Sequence, residues 1–268
     1  MMLGFFVSHA QAEEQCFIAM NAKTGEIVAQ KGTICEIRLS PCSTFKIPLS
    51  LMGYETQVLQ DETHPEWPFM VHTNGSDAEV VPWLQMPKEQ QTAQNPTSWM
   101  SKSIVWYSQA LTTKMGNAKF KEFVERFDYG NKDVSGEPGK NNGLTNAWLS
   151  SSLKISPHEQ LTFLRKLVNR ELSLSPHTYE MTQKLVLIDP LDGGWKFYGK
   201  TGSGFEMKPD GTPNRDKQLG WCVGWAQKED QTYIFAYNIK DVKSIPSMKE
   251  RQNSAKGYLK EFGLLTKK

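Results

Sequence analysis

Strand-like runs cluster near the two ends of the chain and helix-like runs fill its centre, so any sheet must be assembled from pieces far apart in sequence. Residues 16–30, CFIAMNAKTGEIVAQ, alternate loosely around a turn at Lys23-Thr24-Gly25, the pattern of a β-hairpin. Three further strand-like runs come late, at 195–199, 219–225 and 232–238, the last two joined by a polar KEDQ turn, and 247–265 reads as an amphipathic closing helix. In the centre, Ser156-Pro157-His158-Glu159 carries a capping serine, a proline at the first helical position and a glutamate behind it, followed by Leu161, Leu164, Leu167 and Val168 at helical spacing. Phe120, Phe123 and Phe127 repeat the pattern over 117–127. The predicted fold is α/β (α+β): a mixed, mostly antiparallel sheet from both chain ends, flanked by helices, with an inserted all-helical region. It divides a single domain, 13–268, into a sheet subdomain at about 13–50 and 190–268 and a helical subdomain at about 51–189.

Composition removes several function classes. The 268 residues are 38% hydrophobic, enough for a packed core, and 31 basic against 29 acidic side chains leave a balance of +2. A polyanion binder needs a basic excess, so no nucleic-acid partner is expected. No apolar run approaches the roughly 20 residues that cross a bilayer, so no membrane span is expected. The start, MMLGFFVSHAQAEE, places a short apolar stretch before Ala10-Gln11-Ala12, a small-x-small cleavage pattern. Residues 1–12 therefore read as the remnant of a secretion signal, with a periplasmic product; the other reading is an ordinary disordered start. Cys16, Cys35, Cys42 and Cys222 show no metal-ligand spacing with one another or with the histidines, so no metal site is predicted. In an exported protein Cys16 and Cys35 could pair, whereas Cys42 and Cys222 lie in apolar stretches that suit core residues.

The chemistry concentrates in residues 40–48, SPCSTFKIP. Ser40-Pro41 reads as a helix cap and first position, which would put Ser43 in a first turn where unpaired backbone N–H groups and the positive end of the helix dipole can stabilise an oxyanion. Lys46 then lies on the same face as the Ser43 hydroxyl, and Pro48 is expected to kink the helix. Burial beside Phe45 and Ile47 disfavours a charged ammonium, and a neutral amine can act as a base or add carbon dioxide to become a carbamate. The pattern S-x-x-K is cheap: Ser151–Lys154 matches it too, and Lys-Thr-Gly occurs at 23–25 as well as at 200–202. Context separates the two copies, since 23–25 sits in a hairpin turn and 200–202 follows a strand-like run where glycine permits close backbone approach.

Five elements in order, STFK at 43–46, Ser103-Ile104-Val105-Trp106, Phe127-Asp128-Tyr129-Gly130-Asn131, Trp148 within AWLSSSLKIS, and Lys200-Thr201-Gly202, resemble the class D serine β-lactamases (oxacillinases) among the penicillin-recognising serine enzymes. The resemblance spans almost the whole chain. It implies Ser43 as nucleophile and Lys46 as a carboxylated general base, with carbon dioxide or bicarbonate as its source and no other cofactor. It further implies Ser103 as proton relay to the leaving nitrogen, Lys200 as the neighbouring positive charge, and Trp148 and Val105 as supports of the carbamate. Thr201, Gly202 and Ser203 would bind substrate, with the Ser203 N–H completing an oxyanion hole. Tyr129 and Asn131 are expected to shape the pocket, and Trp83, Leu84 and Met86 to form its rim. Many members bind the substrate carboxylate with an arginine after the last strand, for which Arg251 is a loose candidate; were it solvent-facing, Ser103, Thr201, Ser203 and Lys200 would take over. The implied activity is hydrolysis of small-molecule β-lactams (penicillins, oxacillin-type compounds, some cephalosporins), conferring antibiotic resistance. A β-lactam sensor domain that acylates and stalls, and a cell-wall transpeptidase or carboxypeptidase, are the competing functions. The choice among monomer and homodimer, and carbapenem turnover, stay open at this level.

Overall fold

The computed structural model describes residues 14–69, 86–210 and 212–265. The leader at 1–12 and the rim candidates Trp83 and Leu84 lie outside the described residues.

The strands are β1 (Glu14–Asn21), β2 (Ile27–Gly32), β3 (Leu187–Pro190), β4 (Lys196–Met207), β5 (Pro213–Lys228) and β6 (Gln231–Val242). They form one antiparallel sheet in the order β2-β1-β6-β5-β4-β3, so the amino-terminal hairpin joins the carboxy-terminal meander through the β1–β6 pairing. The helices are α1 (Lys46–Glu55), α2 (Pro96–Ser101), α3 (Val105–Met115), α4 (Asn117–Arg126), α5 (Gly143–Asn146), α6 (Pro157–Val168), α7 (Pro176–Leu185) and α8 (Met248–Glu261). A large core, including Phe45, Trp99, Tyr107, Trp148 and Trp221, fills the space between the sheet and the central helices. A smaller one, including Phe17, Phe197, Phe235 and Leu259, lies under α8 on the other face. Buried residues on both faces explain why β5 and β6 read as nearly continuous apolar runs rather than alternating ones.

The expected capping is present at α6, where Ser156 Oγ accepts from Glu159 N and the Glu159 carboxylate accepts from Ser156 N. Ser247 and Glu250 form the same reciprocal pair at α8. The sheet is larger than the sequence pattern indicates. β3 shows no clear alternation, and β4 and β5 extend to 12 and 16 residues through GSGFEM and PNRDKQ, where glycine and charge depress strand propensity but mutual pairing holds the backbone extended. Pro48 does not kink α1, because it falls in the first turn, where a missing N–H leaves no intrahelical bond unmade.

Cys16 and Cys35 form a disulfide that ties β1 to the segment preceding the S-x-x-K stretch, while Cys42 and Cys222 are free and buried. A cross-link across 19 residues removes unfolded-state freedom amounting to about 3 kcal/mol. The Cys16→Ala/Cys35→Ala variant is therefore expected to melt roughly 5–12 °C lower than the oxidised protein, with reductant producing the same shift only in the parent. Equal melting temperatures by calorimetry would remove the stabilising role.

Candidate active site

Ser43 stands out by exposure. Every other residue from Leu39 to Tyr54 is buried, and Ser43 alone in that stretch is partly open to solvent. The local conformation differs from the sequence expectation: Cys42–Phe45 is a 3₁₀ turn, α1 begins at Lys46, and Ser40 is not the cap. Cys42 adopts φ +49°, a left-handed conformation costing roughly 1–3 kcal/mol for a non-glycine residue, which tight surroundings must enforce. Behind the turn, Thr44 Oγ1 donates to Pro41 O at 2.7 Å, and Gln160 Nε2 donates to both Thr44 Oγ1 and the Tyr129 hydroxyl. Tyr129 is thus fully buried against Phe45 and braces the nucleophile turn, a correction to its expected pocket-shaping position. Asn131 accepts from Lys154 N and donates to Ser152 O, pinning the segment that follows Trp148.

The Lys46 ammonium nitrogen lies 3.4 Å from Ser43 Oγ and the residue has 0% exposure. Burial drives its pKa well below the usual lysine range, the Lys200 charge adds to the effect, and no carboxylate among the described residues pairs with it. Desolvation therefore favours the neutral form of the amine. The indole of Trp148 stacks on Phe45 with ring centroids 5.5 Å apart, and its Nε1–H is buried with no hydrogen-bond partner among the described residues. An orphaned buried donor is costly, so this indole, on the residue packed beside Lys46's sequence neighbour, is suited to an added acceptor. Trp106, by contrast, donates its indole N–H to Gln90 O and is a satisfied core residue.

Ser103 sits in the bend between α2 and α3 at φ +60°, partly buried, and Val105 opens α3. On the opposite side, β4 passes close to the nucleophile turn. A Cβ on Gly202 would meet Pro41 O at 2.8 Å and Thr44 N at 3.1 Å, so the glycine admits the backbone of the turn. Beyond the short β3 pairing, the outer edge of β4 is free to face that turn. Gly199 N donates to Val186 O and Phe205 N to Ser150 Oγ on this edge, so by strand alternation the amides of Thr201 and Ser203 point the same way. Ser203 N–H is thereby directed toward the side that carries Ser43.

Lys200 is 5% exposed, donates from Nζ to Thr201 O at 3.0 Å, and burial lowers its pKa to about 8. Thr201, across from Cys222 and 3% exposed, faces the other side of the sheet. Arg251 is not solvent-facing. It is 2% exposed, with Nη2 donating to Ser203 Oγ at 2.8 Å and Nη1 to Pro246 O at 2.7 Å. The lack of a side chain at Gly220 makes its place, since a Cβ there would come within 3.0 Å of Arg251 Cδ. The motif text around Arg251 carries no signal for this, because the space is opened by a glycine 31 positions earlier in sequence.

A partly exposed serine, a buried lysine of lowered pKa one turn away, a second buried lysine and a free strand edge of amide donors have the make-up of a serine acyl-transfer site. The penicillin binding protein transpeptidase domain model matches residues 15–262. The chain is 40% identical over 223 residues to β-lactamase OXA-9 of Klebsiella pneumoniae, covering 83% of this chain and 77% of that protein. It is 38% identical over 230 residues to β-lactamase OXA-1 of Escherichia coli, covering 84% and 75%. The crystal structure of the OXA-427 class D β-lactamase superposes with a TM-score of 0.80 at 41% identity, covering 92% of this chain and 97% of that one. The chain belongs to the penicillin-binding transpeptidase-domain family and, within it, to the class D β-lactamases.

Proposed function

We propose that this chain hydrolyses β-lactam antibiotics, penicillins and oxacillin-type compounds first, through an acyl-enzyme on Ser43 with Lys46 carboxylated as the general base. The observation that carries the reading is the buried Lys46, its pKa pulled down by desolvation and its Nζ 3.4 Å from Ser43 Oγ on the one solvent-reaching serine of its segment, with the buried Trp148 N–H lacking an acceptor among the described residues. A neutral amine adds carbon dioxide and loses a proton to give an N-linked carbamate anion, which the Trp148 N–H would hold. When present, the carbamate supplies a base that takes the hydroxyl proton in acylation and a water proton in deacylation. Ser43 Oγ bonds to the lactam carbonyl carbon, the Ser43 and Ser203 amides stabilise the oxyanion, the C–N bond breaks, and Ser103 returns a proton to the departing nitrogen. Water then cleaves the ester, releasing the opened acid and freeing Ser43. Arg251, bonded to Ser203 Oγ, sets positive charge beside that residue for the substrate carboxylate, and Lys200 adds positive charge close enough to act on Lys46. The reading includes export to the periplasm and antibiotic resistance, supported by the Ala10-Gln11-Ala12 pattern and by the Cys16–Cys35 disulfide.

Repeated turnover of a chromogenic cephalosporin or a penicillin tests the proposal. One stoichiometric burst without turnover would indicate a sensor, and release of terminal D-alanine from a peptide a wall enzyme.

Lys200 gives a separate pH prediction. Its ammonium loses charge as pH rises through about 8, so kcat/KM for an anionic penicillin should fall on an alkaline limb near that value. Lys200→Arg, which stays charged, is expected to displace the limb by more than about one pH unit. A profile flat to pH 10, on the order of the unperturbed lysine value, would contradict it. Arg251→Ala is expected to raise KM for penicillins by roughly 10–100-fold with a smaller change in kcat, as loss of a charge contact to substrate requires; an unchanged KM rejects that role.

A further inference from the structure

Ser40 has no place in the chemistry above, yet it is the junction of three segments that build the site. Its hydroxyl donates to Trp148 O at 2.8 Å and accepts from Ser150 N at 2.9 Å, and its own carbonyl accepts from Trp221 Nε1 at 2.9 Å. Ser150 Oγ in turn accepts from Phe205 N of β4 at 3.1 Å. Ser40 is 5% exposed and Trp148 0%, so their contact is shielded from water, while the contact to Ser150 holds a residue at φ +55°. Leu39 and Ile155 exchange backbone hydrogen bonds next to this junction, which aligns the two segments side by side. On one side of Ser40, Pro41 leads directly into the turn that carries Ser43 and Lys46; on the other, the bonded partner is the backbone of Trp148 itself.

We infer that Ser40 is a positioning residue that sets where the Trp148 indole N–H stands relative to Lys46, and so tunes the affinity of Lys46 for carbon dioxide. The inference rests on the carbamate reading of Lys46. One buried hydroxyl, donating to the carbonyl of 148 and accepting from the amide of 150, fixes the backbone on both sides of residue 149. Without those bonds the Trp148 carbonyl is left buried and unpaired and the Ser150 amide loses its partner, so the loop must shift to satisfy them. Partners that orient a liganding side chain from behind commonly change its affinity by about 10–100-fold.

The test measures carbon dioxide uptake directly. Carbon-13 NMR with labelled bicarbonate gives the carbamate signal of the parent, Ser40→Ala, Ser40→Thr and Ser150→Ala, and the bicarbonate concentration at half-maximal signal is read for each, alongside melting temperature. For Ser40→Ala the midpoint is expected to rise by about tenfold or more. Ser40→Thr, which retains the hydroxyl, should stay close to the parent, and Ser150→Ala, which removes the hydroxyl bonded to Phe205 N and the Cys42 thiol but keeps both Ser40 bonds, should move the midpoint less than Ser40→Ala. Titration in the cold with added sucrose keeps a destabilised variant folded during the measurement. A lower melting temperature for Ser40→Ala with an unchanged midpoint makes Ser40 merely structural and overturns the inference. A parent protein that turns over substrate without any carbamate signal overturns the carbamate reading itself, a result distinct from equal midpoints in parent and variant.

Discussion

Ser43→Ala is expected to lower kcat for a penicillin by on the order of 10⁴–10⁶-fold while leaving the melting temperature within a few degrees of the parent. The alanine loses only an oxygen from the one partly solvent-reaching residue of its segment, so no cavity opens in the core. Binding survives because the Ser203 amide, Lys200 and Arg251 are untouched, and fluorescence titration with a penicillin should show saturable association without product. Ser151, in the other S-x-x-K match, serves as the control. Its partner Lys154 is exposed to water rather than buried, with Lys154 N held by the Asn131 side chain, and Ser151→Ala is expected to retain activity within about threefold. Loss of turnover in Ser151→Ala with retention in Ser43→Ala would transfer the nucleophile and end the proposal.

Trp148→Phe is the second large effect expected, on the order of 10²–10³-fold in kcat at ambient carbon dioxide, with partial recovery as bicarbonate is added. Phenylalanine keeps an aromatic ring against Phe45 but removes the unpartnered N–H together with part of the buried ring, and recovery with added bicarbonate separates loss of the donor from loss of packing. The pH dependence has a definite sign. Lys46 has a folded pKa well below the ordinary lysine value, so the neutral amine predominates above that folded pKa and protonation grows as pH falls through it. Acid therefore removes the carbon dioxide acceptor, and activity lost at low pH should return with bicarbonate in the parent more readily than in Trp148→Phe. For stability the same shift means that the unfolded chain binds more protons between the lowered folded pKa and the ordinary unfolded value, so this group's contribution rises with pH across that window and is flat outside it. Lys46→Met, close in volume and uncharged, is expected to be at least as stable as the parent near neutral pH while inactive. Equal kcat for Trp148→Phe and the parent, with and without bicarbonate, would remove the indole from the mechanism.

Much of the architecture was legible because it follows local rules. The Ser156 and Ser247 caps, the phenylalanine stripe of α4 and the hairpin turn at 23–25 each report a period or a cap that a short window contains. The errors share a cause. Ser40-Pro41 has the composition of a helix start, but its hydroxyl is bonded to residues 148 and 150, about 110 positions away, and the helix begins later. Tyr129 has the composition of a pocket residue, but Gln160 and Thr44 draw it behind the nucleophile turn.

The amino-acid sequence by itself determined the class of sheet, from strand-like runs at both chain ends, and the order of the motifs; spacing alone left two S-x-x-K matches, and the resemblance to the class D β-lactamases singled out Ser43 and Lys46. Tertiary structure alone decided that burial pulls the Lys46 pKa down, that the Trp148 N–H has no partner among the described residues, that Arg251 turns inward beside Ser203 and that Cys16 meets Cys35. Desolvation and hydrogen-bond satisfaction depend on what surrounds an atom in three dimensions, and those surroundings come from segments that sequence distance keeps apart.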